Sequence, residues 1–178
     1  ARQDFGRMTR TFAMILIEQP SRDGESGDEL LVEAALFGSA RPVLIAPYIQ
    51  KAPIKLDHVL VGWDGGLAAA RAVGDAMPVL KKAGKVEVVT ITSKRVDEKE
   101  MPGFDIARHL ARHGVDAQVK RLPATDEAAA TLLSYAADSD TDLMVMGGYG
   151  HSRLREFVLG GTTRNILSSM TVPVLMSH

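Results

Sequence analysis

The chain contains no cysteine, which removes disulfides, thiolate nucleophiles and cysteine-built zinc sites from consideration. Aromatic residues make up 5% of the 178 positions, with a single tryptophan, so there is no stacking platform of the kind that holds single-stranded nucleic acid. Neither sign of charge dominates: 21 basic against 22 acidic residues leave a net charge of −1. A polyanion-binding chain usually carries a basic patch, and Arg153 with Arg155 are two arginines rather than a patch, so no nucleic-acid partner is expected. No apolar run approaches the ~18–20 residues needed to cross a bilayer, and no secretory or transit pattern is visible. These absences point to a cytoplasmic protein with no membrane partner.

What is present is alternation. Leu60 lies in a buried-strand pattern over 58–63, followed by a turn at Asp64, Gly65 and Gly66 and by an alanine-rich helical stretch over 68–82 in which Pro78 is expected to force a kink or a second short turn. A second strand pattern covers 85–92, a helix 104–113 stopped by Gly114, and a more polar strand 118–122 suited to a sheet edge. Asp126 is placed to cap a helix running to 137, and strands over 143–146 and 172–176 flank a helix over 163–169. Strands that are nearly continuous Val, Ile, Leu and Met, alternating with helices, indicate an α/β fold with a parallel sheet covered on both faces.

The N-terminal 50 residues repeat the end of the chain in miniature. A strand over 12–17, a helix over 28–37 and a strand over 41–47 reproduce the strand, loop, helix and Pro-Val-Leu sequence of 144–175; Met14 to Pro42 spans 28 positions and Met144 to Pro173 spans 29. Residues 1–50 therefore read as the C-terminal remnant of a first domain, ahead of a complete domain over 51–178. In the remnant, Glu18 and Pro20 occupy the loop position, where added negative charge and a missing N–H predict no phosphate binding.

The most distinctive stretch runs from Met146 to Arg164. A buried strand feeds Gly147, Gly148 and Gly150 into a loop that ends with Gly160, Gly161, Thr162 and Thr163 at a helix start. Glycine lets backbone approach a ligand closely, and helix N–H groups attract anions. The spacing is neither a P-loop nor a GxGxxG fingerprint. It resembles the G-x2-G-x9-G-[ST] signature of the universal stress protein family, with Gly147, Gly150 and Gly160 in register. One position departs: Gly161 stands where the signature has Ser or Thr, and the hydroxyls follow one and two residues later. The resemblance extends over 56–178 and, loosely, 8–48.

That resemblance implies a five-stranded parallel sheet of order 3-2-1-4-5 with helices on both faces, a Rossmann-like, adenine-nucleotide α-hydrolase-like fold. The turn at 64–66 and the loop at 147–150 then converge where the strand order reverses, the place ligands occupy in such sheets. It implies a cytosolic stress-response or signalling module with a site for ATP or AMP, with or without Mg, formed by Asp64, Gly147, Gly148, Gly150, His151, Gly160, Gly161, Thr162 and Thr163. It also implies a homodimer paired through the last strands, with 43–46 a candidate to pair with 172–176. Two other readings stay open: a degenerate interaction module that binds no nucleotide, and a slow ATP-hydrolysing enzyme on the same scaffold.

Each residue also has a bland reading. Asp64 is as well suited to hold its own turn as to meet a ribose or a metal-bound phosphate. Trp63 suits core packing as well as a pocket wall, and His151 suits a solvated loop. His109 and His113 share a helix face but lack a third ligand and any HExxH pattern. Asp138, Asp140 and Asp142 lack the glycine and terminal glutamate of a calcium loop and read as capping residues. No nucleophile, base and orienting acid are arranged by motif, so no catalytic residues are assigned.

Overall fold

The structure is a computed structural model and describes residues 2–20, 27–92, 103–123, 127–150 and 161–178. His151, Arg153, Arg155, Gly160 and Asp126 lie outside the described residues. The elements follow in the order α1 (Arg2–Thr9), β1 (Ile15–Glu18), α2 (Gly27–Gly38), β2 (Val43–Ala46), β3 (His58–Gly62), α3 (Leu67–Leu80), β4 (Lys85–Thr92), α4 (Phe104–Arg112), β5 (Ala117–Pro123), α5 (Ala128–Asp138), β6 (Leu143–Gly147), α6 (Gly161–Ser169) and β7 (Val174–Ser177).

Among the described residues, all seven strands join one sheet in the order β1-β2-β7-β6-β3-β4-β5. The expected order 3-2-1-4-5 is present as its β5-β4-β3-β6-β7 part, but the sheet is seven-stranded rather than five-stranded. The two additional strands attach through the single antiparallel junction of the sheet, where Val43, Leu44 and Ile45 face Met176, Leu175 and Val174. Both edges of β7 are thereby filled inside the chain, by β2 and β6. The pairing expected of 43–46 with the last strand is thus made within the chain.

The strands form where the sequence is apolar on both faces. Val59, Leu60 and Val61 on β3, and Met144 and Val145 on β6, are almost wholly buried, each contributing about 1.5–3 kcal/mol. One core layer lies between the sheet and α2, α5 and α6, centred on Leu60, Leu132, Met144 and Ile166. The other lies under α3 and α4, centred on Val61, Ala72, Val88 and Leu110. Pro78 sits inside α3, in its last turn, and ends rather than kinks the helix because little helix follows it. Glu127 stands at the N-terminus of α5 in an extended conformation without a side-chain cap bond, and the capping role expected of Asp126 falls outside the described residues. Helix α1 has no counterpart in the sequence reading; Gly6 packs so closely on Gly38 that an added Cβ would lie 2.8 Å from that residue's carbonyl carbon.

The miniature repeat is visible in the hydrogen bonds. Ile15 N–H donates to Pro42 O at 3.0 Å and Gln19 N–H to Ala46 O at 2.8 Å; Met144 N–H donates to Pro173 O and Gly148 N–H to Ser177 O, both at 2.9 Å. The structural register therefore pairs Ile15, not Met14, with Met144, and sets Glu18 opposite Gly147. The two copies differ in cover: Val145 is 0% exposed beneath α3, while the equivalent Leu16 is 69% exposed.

At the N-terminal ends of β3 and β4, a polar cluster is buried. Glu87 accepts from the Tyr135 hydroxyl at 2.9 Å and meets Lys85 Nζ at 2.9 Å. His58 Nδ1 donates to Ser139 O at 2.9 Å, while its Nε2 lies 3.0 Å from Glu87 Oε2 without hydrogen-bond alignment. Asp142 caps the start of β3 by accepting from His58 N–H at 2.9 Å, the capping role expected for that acidic connection.

Candidate functional site

Where the connections leave the sheet in opposite directions, between β3 and β6, the C-terminal strand ends open a cleft of about 380 Å³, within the range of small-molecule sites. Its sides come from four places. Trp63 and Asp64 follow β3; Val89 and Ile91 project from β4; Ala128 and Leu132 come from α5; and Gly147, Tyr149, Gly150 and Gly161 to Thr163 complete it. The end with Val89, Ile91 and Leu132 is apolar, and the end with the glycine turns is backbone-rich. Such an arrangement suits a molecule with a flat apolar part and an anionic part.

The turn after β3 is built by Asp64. Its Oδ1 accepts from Gly66 N–H at 2.8 Å, and Gly65 adopts φ +75°, a left-handed conformation that costs glycine little. The turn-holding role weighed for Asp64 is thus observed, and the carboxylate also lines the cleft. Trp63 has both roles considered for it: its side chain is half-buried against the second core layer and borders the cleft.

The glycines of the loop differ in what they allow. A Cβ on Gly147 would lie 2.5 Å from Ala69 N and 2.7 Å from Ala68 C, so only glycine lets β6 pass under the start of α3. At Gly150 the nearest atom would be Ala68 Cβ at 3.6 Å, and at Gly161 nothing lies within 4 Å. Gly161 opens α6, whose first-turn N–H groups have no partner within the helix. Thr162 is exposed, whereas Thr163 is buried and its hydroxyl accepts from Tyr149 N–H at 3.1 Å. Its oxygen therefore fastens the loop to α6.

Tyr149 is the residue sequence reasoning missed. It has φ +58°, is 4% exposed, and its hydroxyl has no partner among the described residues. Burial first, then the carboxylates of Glu33 and Glu29, push its pKa well above the usual tyrosine value, so it remains neutral. Its ring lies 5.3 Å from that of Phe37 on α2. The signal available in sequence was a tyrosine between glycines, which says nothing about which helix it packs against.

The remaining candidates lie elsewhere. His109 and His113, at the C-terminal end of α4, have rings 4.6 Å apart and are not among the residues lining the cleft, and among the described residues no group of three or more metal-ligating side chains occurs. No helix among the described residues is long and apolar enough to cross a membrane.

Comparison with known proteins agrees with this geometry. Universal stress protein Slr1230 of Synechocystis sp. is 28% identical over 146 residues, covering 81% of this chain and 49% of its own length. The chain thus spans about half the length of that relative. A universal stress protein from Archaeoglobus fulgidus superposes with a TM-score of 0.71 at 20% identity, over 98% of this chain and 65% of that one. A universal stress protein in complex with cAMP superposes with a TM-score of 0.52 at 21% identity, over 68% of this chain and 97% of that one. Both likenesses show the fold. The universal stress protein family pattern matches residues 55–178, the span that carries the cleft and both of its glycine turns, and the chain belongs to the universal stress protein family.

Proposed function

We propose that the cleft binds an adenine nucleotide (ATP, AMP or cAMP) and that the chain acts as a cytoplasmic stress-response module whose occupied state a partner reads. The observation that carries this reading is convergence: the 64–66 turn, the 147–150 loop and the start of α6 line one cleft with an apolar end. The base would lie against Val89, Ile91, Leu132 and Trp63. The phosphate would meet Gly150, Gly161 and Thr162 at the α6 N-terminus, where a negative charge gains about 0.3–1 kcal/mol. Asp64 would face the ribose or a Mg ion on the phosphates. The relative found with cAMP supports the ligand class.

Among the described residues lining the cleft, the ionisable side chains are Asp64 and Tyr149. Residues 1–50 are read as the C-terminal part of a first domain fused to a complete one over 51–178, and a dimer of chains would use the edge at β1 or β5 because β7 is filled. A second reading, an interaction module with no nucleotide, is favoured by one observation: the Thr163 hydroxyl is engaged by Tyr149 while Gly161 has none to offer.

The deciding experiment is mass spectrometry of small molecules released on denaturation, followed by calorimetric titration with Mg-ATP, AMP and cAMP. A micromolar affinity that disappears in Gly150→Glu is expected, since the new carboxylate would enter the cleft beside Asp64. A protein that releases no nucleotide and takes up none refutes the binding reading and leaves the interaction module.

A further inference from the structure

We propose that Phe37, on α2 of the N-terminal strand–helix–strand, is a positioning residue for the glycine loop of the other half, and that through Tyr149 it sets the cleft's affinity for an anionic nucleotide. The ligand part rests on the nucleotide reading above; the control of loop geometry does not.

The starting observation is the backbone of Tyr149. Its φ of +58° is one that residues with a bulky side chain seldom adopt unless their surroundings impose it. The surroundings here come from three directions. Thr163 on α6 accepts the Tyr149 N–H at 3.1 Å. Phe37 packs on the Tyr149 ring at 5.3 Å with the planes tilted by 46°. His178 donates from Nδ1 to Gly148 O at 3.0 Å, and its ring meets Phe37 edge-on at 4.4 Å. Phe37 thus contacts both the loop tyrosine and the histidine that holds the preceding carbonyl.

Helix α2 also approaches the loop at Gly148, where an added Cβ would lie 3.3 Å from Leu36 Cδ1. The held pair, Gly148 and Tyr149, sits between Gly147 and Gly150, which line the cleft. Any change in the Tyr149 dihedrals must swing Gly150, so the fit of the loop to an anion depends on a contact made by α2. A loop already held in its bound shape costs less to order when the ligand arrives. Loosening it lowers apparent affinity by the fraction of molecules left in the competent shape.

Phe37 is 53% exposed, so truncating it removes a contact with the loop without opening the deep core. The test uses the full chain as wild type, Phe37→Ala and Phe37→Tyr. Hydrogen exchange of the ligand-free protein is measured at the amides of 148–150 and of 144–146, and calorimetry measures cAMP and AMP binding. Phe37→Ala is expected to speed exchange at 148–150 by about tenfold while leaving 144–146 unchanged, and to weaken nucleotide binding by about tenfold. Phe37→Tyr, which keeps the ring, is expected to restore both.

Unchanged exchange at 148–150 in Phe37→Ala overturns the proposal, as does equal loosening of 144–146, which would mark a general structural role. Faster exchange with wild-type affinity overturns the affinity half. A wild-type chain that binds neither nucleotide, and no Mg-ATP in the titration above, refutes the nucleotide reading, and the exchange data then decide the role of Phe37 by themselves.

Discussion

Replacing Gly147 with alanine adds one methyl group, and the structure gives that methyl nowhere to go. Its nearest neighbours would be Ala69 N at 2.5 Å, Ala68 C at 2.7 Å and Ala68 Cβ at 2.9 Å. Two of these are backbone atoms at the start of α3, which cannot rotate aside as a side-chain tip can. Relief requires α3 to lift from β6, two elements that share the second core layer through Ala72, Val73 and Val145. Overpacking of this kind costs roughly 1–3 kcal/mol, and for a chain of this size the melting temperature should fall by roughly 2–12 °C. Gly150→Ala is the control: its Cβ would meet Ala68 Cβ at an ordinary 3.6 Å, and Gly150 has no positive φ to strain. Its expected cost is under about 0.5 kcal/mol. Thermal and urea unfolding of the two variants in parallel measure the difference. Equal stabilities would refute the argument that Gly147 serves close helix–strand passage, and would return it to the ligand as its only reason for being glycine.

Two further outcomes follow from the buried residues. For Glu87, burial alone would raise the pKa, but hydrogen bonds from Lys85 and Tyr135 and the charges of Lys85 and His58 hold it below 4.5. A carboxyl depressed in the folded state stabilises the protein above its unfolded pKa, and that stabilisation is lost as pH falls through the lower folded value. Urea unfolding from neutral pH down past 4.5 should therefore show an acid limb that Glu87→Gln flattens, and an unchanged limb would contradict the cluster. At the two equivalent strand positions, Val145→Ala should cost roughly 2–3 kcal/mol and Leu16→Ala under about 0.5 kcal/mol, because one side chain is covered and the other is not. Similar losses by chemical denaturation would mean that something covers Leu16.

Much of the fold was written in short-range pattern. The inner strands of 58–178 were legible because a parallel strand buried on both faces must be apolar at consecutive positions, as Val59 to Val61 and Leu143 to Met146 are, and β5 was legible by the polar alternation of a sheet edge. The loop of Gly147 and Gly150 was legible because its glycines stand in the register of the family signature. Helix α1 was not, since it is held by Gly6 against Gly38 rather than by an apolar stripe of its own.

The sequence by itself determined the alternation of strands and helices, the family, the miniature repeat and the strand end at which a ligand site would form, because periodicity and glycine placement are properties of neighbours along the chain. Tertiary structure alone decided that β2 closes antiparallel on β7 to make seven strands, that Ile15 rather than Met14 matches Met144, and that Thr163 spends its oxygen on Tyr149. It also decided that Gly147 is confined while Gly150 is free, and that Phe37 reaches Tyr149 across more than a hundred positions. Each of these is a distance between atoms remote in the chain, fixed by how the layers pack and not by any local preference.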